Sequence, residues 1–160
     1  MKLDIVCNDK KYLPTYANDT DACMDLKVKI EDHLFILSPD KTHVEKGTYL
    51  LKSGETKIFD TGIQVSIPKD HVMLIFPRSS TGIKLHCMLT NTTGVIDTGY
   101  RDEIKMALTN FGDVTIKLED GQRIAQFMII PRPKIELNLV KDDILFRNND
   151  RGGGVGSTGK

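Results

Sequence analysis

The sequence predicts an all-β protein, either a barrel or a sandwich, and three observations support this fold class. Short apolar segments recur along the chain, at residues 63–67, 72–76, 85–89, 114–118, 127–130 and 135–140. Turn-forming residues separate these segments at intervals of about 8–12 residues, which is typical of antiparallel β folds. No long stretch has apolar residues at the i, i+3, i+4 and i+7 positions that a surface helix requires.

The first two segments show the two apolar patterns that strands adopt. In the first, Ile63, Val65 and Ile67 alternate with polar residues until Pro68, so we expect a strand with one buried face. The second, residues 72–76, is apolar throughout, which predicts a strand that is buried on both faces. The remaining four segments are also strand-like, and we expect a strand in each.

Residues 94–108 predict a β-hairpin with a carboxylate near its tip. Val95 and Ile96 lead into the turn, and apolar residues at alternating positions lead out of it. Gly99 is expected to make the turn, because glycine adopts positive φ without steric cost. Taken alone, Asp97 is most simply an ordinary turn residue, since Asp side chains bond nearby backbone amides.

The length and composition exclude several classes of protein. The 160 residues suggest one domain, and a chain of this length buries about 70% of its unfolded surface. The 22 basic and 22 acidic residues balance, so we expect neither direct nucleic-acid binding nor a membrane-binding patch. No segment approaches the ~20 apolar residues of a membrane span.

Cysteine and histidine usage indicates a reducing compartment. Cys7, Cys23 and Cys87 are widely spaced and form no CxxC pair, so we expect no disulfide framework. The four histidines lack the spacing of zinc ligands. Since the N-terminus also lacks the apolar run of a signal peptide, we expect a cytoplasmic protein.

The C-terminal residues differ in composition from the rest of the chain. We expect residues 1–146 to form the β domain and the glycine-rich residues 147–160 to form a flexible tail. The tail nearly matches the P-loop pattern GxxxxGKS/T, but a P-loop opens a helix and the chain ends at Lys160, so we do not expect one. Its glycines, hydroxyls and Arg151 are still suited to phosphate oxygens. The alternative is an ordinary disordered terminus.

Three other segments contain side chains suited to an anion or a metal. Arg78 is followed by two serines, which form a dense set of phosphate donors or simply an exposed surface turn. Gln126 is a further candidate anion donor, whereas we expect Arg123 to pair structurally with an acid and leave it out of the site. Asp25 either binds a metal through water or caps a turn.

Taken together and in this order, five segments resemble the five motifs of the homotrimeric dUTPase family. They run from residue 22 to residue 159, nearly the whole chain. One such motif is weak evidence, but five in the right order are strong evidence. The segments are residues 22–26 (ACMDL), 77–80 (PRSS), 94–100 (GVIDTGY), 121–126 (GQRIAQ) and 151–159 (RGGGVGSTG).

The resemblance implies a β-barrel of jelly-roll type and a threefold homotrimer with shared active sites. It implies Mg²⁺-dependent hydrolysis of dUTP to dUMP and pyrophosphate, which limits uracil incorporation into DNA and supplies dUMP for dTMP synthesis. The tail of one subunit would close as a lid over a site that two other subunits build.

The resemblance also implies a role for each motif residue. Asp97 would deprotonate the attacking water, Tyr100 would pack on the deoxyribose, and Asp25 would reach Mg²⁺ through a metal-bound water. The phosphate chain would be bound by Arg78, Ser79, Ser80 and Gln126, and from the tail by Arg151, Gly156, Ser157 and Thr158. The uracil base would be recognised by Asn91, Gly94, Val95, Ile96 and Lys105.

Four features depart from the family pattern. Cys23 and Asp102 stand where the family usually has glycine, and Val155 stands where a phenylalanine would stack over uracil. Val155 has no π-face, so Phe146 is an alternative stacking residue. The stretch 27–60 is also longer than usual, and we expect an elaborated hairpin or a partner surface there.

Two alternative functions remain open at this stage. One is a dCTP deaminase, or a bifunctional enzyme, on the same fold, for which Glu103 is the only nearby glutamate. The other is a dUTPase-like interaction protein with reduced catalysis, whose altered lid and longer 27–60 stretch would serve an unidentified regulatory partner.

Overall fold

The computed structural model describes residues 1–31 and 46–141, together with the backbone of residues 36–37 and 44–45. Within these residues the chain forms thirteen strands, one short helix and one 3-10 turn, so the all-β class is confirmed. The strands are β1 Asp4–Cys7, β2 Met24–Lys27, β3 Ile36–Leu37, β4 Val44–Glu45, β5 Thr48–Leu51, β6 Thr56–Asp60, β7 Ile63–Ser66, β8 His71–Pro77, β9 Cys87–Leu89, β10 Gly94–Ile96, β11 Lys105–Asn110, β12 Ile116–Glu119 and β13 Arg123–Pro131. The helix, α1, is Ser79–Ile83, and the 3-10 turn is Lys10–Tyr12.

The ladders are antiparallel, and most join strands that are far apart in sequence. The largest sheet has the strand order β10-β8-β13-β2, and a second sheet has the order β6-β11-β9. Strands β1 and β7, β5 and β12, and β3 and β4 form two-stranded ladders. Such non-local pairing is typical of Greek-key and jelly-roll folds, in which two sheets enclose one core.

The core lies between these sheets and follows the alternation of the strands. In β11, Met106 and Leu108 are buried while Lys105 faces solvent, because successive side chains of a strand point to opposite faces. Burying each such side chain stabilises the fold by roughly 1.5–3 kcal/mol relative to exposure. The largest fully buried side chains are Leu26, Leu51, Ile63, Ile67, Met73, Ile75, Leu89, Ile104, Met106, Leu108, Leu118 and Ile124.

Strand β8 matches the predicted apolar run, but its two faces differ. Met73 and Ile75 are buried against the core; on the other face Val72 is buried, whereas Leu74 and Phe76 are only half-buried. The prediction of burial on both faces is therefore wrong for the single chain, because no layer of the described residues fully covers the second face. We call this second face of the β10-β8-β13-β2 sheet the outer face.

The predicted hairpin at residues 94–108 is not a hairpin. Strand β10 pairs with β8, while β11 pairs with β6 and β9 in a different sheet. The turn itself is present, since the Tyr100 N–H donates to the Asp97 carbonyl at 3.0 Å. Gly99 does not have positive φ, contrary to expectation. The apolar pattern predicted both strands correctly but not their partners, because alternation specifies a buried face and not a neighbour.

The segment 135–140, predicted as a strand, has no strand partner among the described residues. Ile135, Leu137 and Leu139 are 79%, 91% and 101% exposed. An isolated strand is not stable in water, because its backbone and apolar side chains both need a partner. This strand-like segment is therefore left without a strand partner in the part of the chain that the structure describes.

The longer stretch at residues 27–60 contains an additional antiparallel pair. Ile36 pairs with Glu45, and Leu37 pairs with Val44. This agrees with the elaborated hairpin expected there, within the residues described. The predictions for the tail, namely Phe146, Arg151, Val155, Gly156, Ser157 and Thr158, lie outside the described residues. No helix in the described part of the chain is long and apolar enough to span a membrane.

Asp120 fixes the N-terminal segment to the turn that leads into β13. Its carboxylate accepts hydrogen bonds from the Tyr12 hydroxyl and the Ile30 N–H, both at 2.8 Å, and pairs with Lys11 at 2.6 Å. Burial acts to raise the pKa of Asp120, but the bonds from Ile30, Lys11 and Tyr12 outweigh it, and the pKa is lowered. Burial first, and also the bond to Asp120, raises the pKa of Tyr12 to about 12.

Candidate functional site

The end of β8 places the first group of predicted site residues. Pro77 ends the strand, and Arg78 caps the N-terminus of α1 with an extended backbone. The Arg78 N–H and the Thr81 hydroxyl both donate to the Ile124 carbonyl, at 3.3 and 2.7 Å, which fixes α1 against β13. Ser79 is exposed in the first turn of α1, where amide groups lack partners within the helix.

Asp25 lies beneath this turn as a buried carboxylate between two guanidinium groups. Only 5% of the residue is exposed. Its Oδ1 lies 2.7 Å from Arg78 Nε, and its Oδ2 lies 3.1 Å from Arg123 Nη1. Two positive charges against one negative charge leave the cluster cationic, and both guanidiniums retain donors that Asp25 does not use.

A cleft of about 280 Å³ opens above this cluster. Arg78, Ser80 and Arg123 line it, together with Lys84 and Gln122. Lys84 has no ion pair among the described residues. Gln126 lies opposite Asp25 across the β2–β13 ladder, and its Nε2 donates to the Pro77 carbonyl at 3.1 Å. The cleft presents hydroxyl, amide and cationic donors, the set that an anion such as a phosphate chain requires.

The second group of predicted residues surrounds β10. Gly94 is buried against β8, where a Cβ atom would lie 3.1 Å from the Ile75 Cβ, so a side chain would push the two strands apart. Val95 is 61% exposed on the outer face. Asp97 is exposed and makes no side-chain hydrogen bond or ion pair with the described residues. The Thr98 hydroxyl donates to the His71 carbonyl at 2.8 Å, which anchors the turn to the start of β8.

Tyr100 lies in this turn, whereas Asn91 follows β9 and Lys105 begins β11 in the second sheet. The half-buried Tyr100 ring packs against the core, and its hydroxyl donates to the Glu103 carbonyl at 3.0 Å. Asn91 is exposed and directly follows Thr90, whose N–H donates to the Ala107 carbonyl at 2.9 Å. Lys105 begins β11 and pairs with Asp60. These residues offer backbone and side-chain amide groups that can form hydrogen bonds with the polar ring of a ligand.

Asp25 of the first group and Asp97 of the second lie at opposite corners of the outer face. Asp25 and Gln126 pair with each other and therefore lie in one row across the strands of the sheet. Because Ile96 pairs with Met73, the next residue, Asp97, lies four residues along the strand direction from that row. Three strand spacings also separate β10 from β2. With about 3.3 Å per residue and about 4.8 Å per strand, Asp97 and Asp25 are about 20 Å apart. One chain does not bring all the predicted residues together.

Protein side chains alone do not form a direct metal site in the described residues. No group of three or more His, Cys, Asp or Glu side chains is close enough to hold an ion there. Both oxygens of Asp25 already accept from guanidiniums. The donor set therefore fits at most an indirect contact, in which a metal held by ligand oxygens keeps its own waters.

The departures at Cys23 and Asp102 are compatible with the fold. Neither residue has positive φ, so neither position requires glycine for its backbone. Asp102 is exposed. Cys23 is half-buried next to Asp25, and burial first, then the Asp25 charge, raises the pKa of its thiol.

Three of the named cleft residues, Arg123, Lys84 and Gln122, were not among the site residues predicted from the sequence. Arg123 was expected to pair with an acid and was therefore left out, but that acid is Asp25, itself a predicted site residue. Lys84 gave no signal, because a single lysine after a short polar turn has no distinctive pattern. Only the packing of α1 against β13 brings both into the cleft.

Comparison with known proteins finds relatives that match almost the whole chain. A family model described as dUTPase matches residues 44–159. The deoxyuridine 5'-triphosphate nucleotidohydrolase of Clostridium tetani is 35% identical over 161 residues, covering 100% of this chain and 97% of that protein.

Solved dUTPase structures share the fold. The Staphylococcus bacteriophage 80alpha dUTPase with dUPNHPP aligns over 99% of both chains, with a TM-score of 0.77 and 24% identity. A dUTPase mutant from phage phi11 of S. aureus, described for the coordination of a structural Mg(II) ion, covers 89% of this chain and 98% of its own, with a TM-score of 0.71 and 21% identity. The jelly-roll type of fold is thereby confirmed, and the match along the whole length of the chain makes this protein a member of the dUTPase family.

Proposed function

We propose that this protein is a dUTP diphosphatase, which hydrolyses dUTP to dUMP and pyrophosphate. Its family membership supports the reaction class. The observation that carries the proposal is the presence, on one sheet face, of a preformed cationic cleft and an exposed carboxylate without partners among the described residues. The cleft suits a phosphate chain, and the carboxylate of Asp97 suits the activation of water.

In the proposed reaction, Asp97 accepts a proton from a water molecule as the water oxygen attacks the α-phosphorus. The bond between the α-phosphorus and its bridging oxygen breaks, and pyrophosphate leaves with the bonding electrons. A positioned general base of this kind contributes about 10²–10⁴-fold to the rate. The exposed position of Asp97 beside β10 leaves room for both the water and the nucleotide.

The cationic cleft would bind the phosphate chain. Arg78, Ser79, Ser80 and Gln126 would donate to its oxygens, and their fixed orientation stabilises the charge that develops in the transition state. From the tail, Arg151, Gly156, Ser157 and Thr158 would reach the outer phosphates and close the site against water.

Mg²⁺ would be held mainly by the oxygens of the triphosphate, where it would neutralise charge on the leaving group. Mg²⁺ prefers octahedral oxygen ligands and keeps several of its waters, so the absence of a direct metal site in the described residues is compatible with this role. Asp25 would reach it only through such a water. The ion described for the phage phi11 dUTPase is a structural Mg(II), so it shows only that a protein of this fold coordinates this metal.

The segment around β10 would recognise the nucleoside. Uracil presents two carbonyl acceptors on either side of one N–H donor, and the backbone at Val95, Ile96 and Lys105 with the Asn91 amide can match that pattern. Gly94 brings this backbone close to β8, and the Tyr100 ring would pack on the deoxyribose. A site that hydrogen-bonds its substrate rejects an analogue with reversed groups by as much as ~10⁴-fold.

A homotrimer with shared sites accounts for the separation of the two groups. A general base must lie within hydrogen-bond reach of the attacking water, but about 20 Å separates Asp97 from Asp25 in one chain. Two copies that meet through the outer face would bring Asp97 of one subunit to the cleft of the other. The half-buried Leu74 and Phe76, and the unpaired apolar segment at 135–140, are the surfaces that such an assembly would cover.

Two observations bear on the alternatives and on the compartment. Glu103, the residue a deaminase would need, accepts the Gly62 N–H at 2.7 Å and lies 3.5 Å from Lys29, so it acts as a structural carboxylate. The three cysteines are unpaired, which supports a reducing cytoplasmic location.

The reaction is tested by measuring pyrophosphate release from dUTP, dCTP, UTP and dTTP in the presence of Mg²⁺. We expect release from dUTP at least about 10²-fold faster than from the other three. Release of ammonia from dCTP would assign the protein to the deaminases instead. Turnover of dUTP near background in an intact trimer would favour an interaction protein.

A further inference from the structure

The β-bulge at the start of β13 determines where Arg123 points. In β13, Gln126 pairs with Asp25 and Ala125 with Leu26, but Arg123 pairs with Lys27, so one extra residue is inserted between Arg123 and Ala125. Lys27 is two positions from Asp25 and therefore shares its face of the sheet. In a regular strand the side chains alternate between the two faces of the sheet. Without the bulge, Arg123 is three positions from Gln126 and would therefore face the opposite side of the sheet.

The contacts around Asp25 depend on this orientation of the Arg123 side chain. Arg123 reaches Asp25 Oδ2 from one side at 3.1 Å, and Arg78 reaches Oδ1 from the other at 2.7 Å. Arg78 Nη1 also donates to the Arg123 carbonyl at 3.3 Å, which links the two arginines directly. Bulges beside functional sites commonly redirect a side chain in this way.

The exposure of the three side chains shows which of them faces a ligand. The side chain of Asp25 is 7% exposed, whereas that of Arg78 is 25% and that of Arg123 is 47% exposed. The carboxylate is therefore covered by the guanidiniums, and the guanidiniums form the floor of the cleft. The buried carboxylate already holds the two arginine side chains in fixed positions. An anion that binds them therefore has less side-chain freedom to remove.

We propose that Asp25 is a positioning residue of the phosphate site, which holds Arg78 and Arg123 side by side as one anion-binding pair, and that the bulge exists to bring Arg123 to it. The identity of the anion as a triphosphate rests on the proposed function. This role is separate from the water-mediated contact with Mg²⁺ proposed above, because both oxygens of Asp25 accept from arginines and the positioning of these arginines needs no metal.

The Asp25→Asn variant separates the possibilities by the sign of its effect. Asn removes one negative charge beside an anion site, so electrostatics alone would tighten the binding of a polyanion. A role limited to metal binding predicts no weakening in the absence of metal. Loss of positioning predicts weaker binding, because the amide replaces one acceptor oxygen with a donor that repels a guanidinium.

The experiment is calorimetric titration of inorganic triphosphate into the full-length protein in EDTA. We expect Asp25→Asn to weaken binding roughly 10-fold, and Arg123→Gln to weaken it roughly 10- to 100-fold. In the double variant the additional effect of Asp25→Asn should be smaller than in the wild type, since the two residues act together. The matched control is Asp113→Asn, an exposed Asp before β12, which should bind like the wild type.

Unchanged or tighter triphosphate binding by Asp25→Asn would overturn the proposal, as would a wild type that does not bind triphosphate without metal. Melting temperatures distinguish a local effect from misfolding, and Arg123→Lys provides a second variant that retains the charge at a half-exposed position. It should bind more weakly than the wild type, because lysine lacks the planar fork of donors. Turnover of dUTP by the wild type is measured separately, so failure of the proposed function would not be confused with failure of the positioning role.

Discussion

Asp97 and Arg78 lie beside opposite ends of strand β8. Ile96, the residue before Asp97, pairs with Met73 near the beginning of the strand, whereas Arg78 directly follows Pro77 at its end. Both lie on the sheet whose outer face is incompletely covered. We therefore propose that a second subunit completes a site that uses both residues.

Mixed oligomers test this relationship directly. Asp97→Asn and Arg78→Gln should each be nearly inactive, but refolding them together should restore activity. If Asp97 and Arg78 of one site come from different subunits, random assembly leaves about a quarter of the sites with both residues intact. The measurement is dUTP turnover of the refolded mixture. A mixture as inactive as its parents would show that one chain supplies both residues, or that the subunits do not mix, which mass spectrometry of the oligomers distinguishes.

Asp97→Asn is expected to remove the general base without changing the fold. The side chain is exposed and makes no contact with the described residues that stabilises the chain, so the melting temperature should change little. Turnover should fall about 10²–10⁴-fold while the affinity for a non-hydrolysable dUTP analogue is retained. Single-turnover kinetics and equilibrium binding are the two measurements. Turnover within a few-fold of the wild type would exclude Asp97 as the base.

Tyr100→Ala is expected to admit ribonucleotides. The ring is held by its core contacts and by the bond from its hydroxyl to Glu103, so it can exclude a 2′-hydroxyl by its fixed position. The ratio of kcat/KM for dUTP to that for UTP should fall at least about 10-fold. Tyr100→Phe is the control, because it keeps the ring and loses only the hydroxyl. If Tyr100→Ala discriminates as the wild type does, another group selects the sugar.

Deletion of residues 151–160 is expected to separate folding from turnover. The tail sequence has no apolar side chains to add to the core apart from Val155, so the truncated protein should keep its melting temperature. Turnover with dUTP should fall at least about 10²-fold, since the tail donors would no longer close the site. Equal kinetics for the two proteins would remove the lid from the mechanism.

Asp120→Asn is expected to lower stability in a pH-dependent way. The lowered pKa of Asp120 means that its charge stabilises the native state above about pH 4, and that this contribution is lost as the pH falls through the native pKa. At pH 7 the variant should lose about 1–3 kcal/mol of unfolding free energy, and the difference should shrink toward pH 3. Urea unfolding at fixed protein concentration measures it. A difference that is independent of pH would mean that the charge of Asp120 does not contribute.

Local sequence patterns predicted much of the fold because strand periodicity specifies which face of a segment is buried. The alternation at Ile63, Val65 and Ile67 and the apolar run of β8 predicted their strands correctly. The residues of the five motifs and their order along the chain were enough to show the resemblance to the family, since each motif is a short stretch of neighbouring residues.

Tertiary structure decided which strands pair and which residues share a site. The sequence of residues 94–108 is compatible with a hairpin, but burial of β10 against β8 and of β11 against β6 is more favourable than pairing the two with each other. The bulge that turns Arg123 toward Asp25 changes the register by one residue, and no local pattern encodes such a shift. The sequence by itself therefore determined several of the strands and the chemistry of each motif. The fold decided that Asp25 and Asp97 lie at distant corners of one sheet, because strand register and partner depend on contacts between residues far apart in the chain.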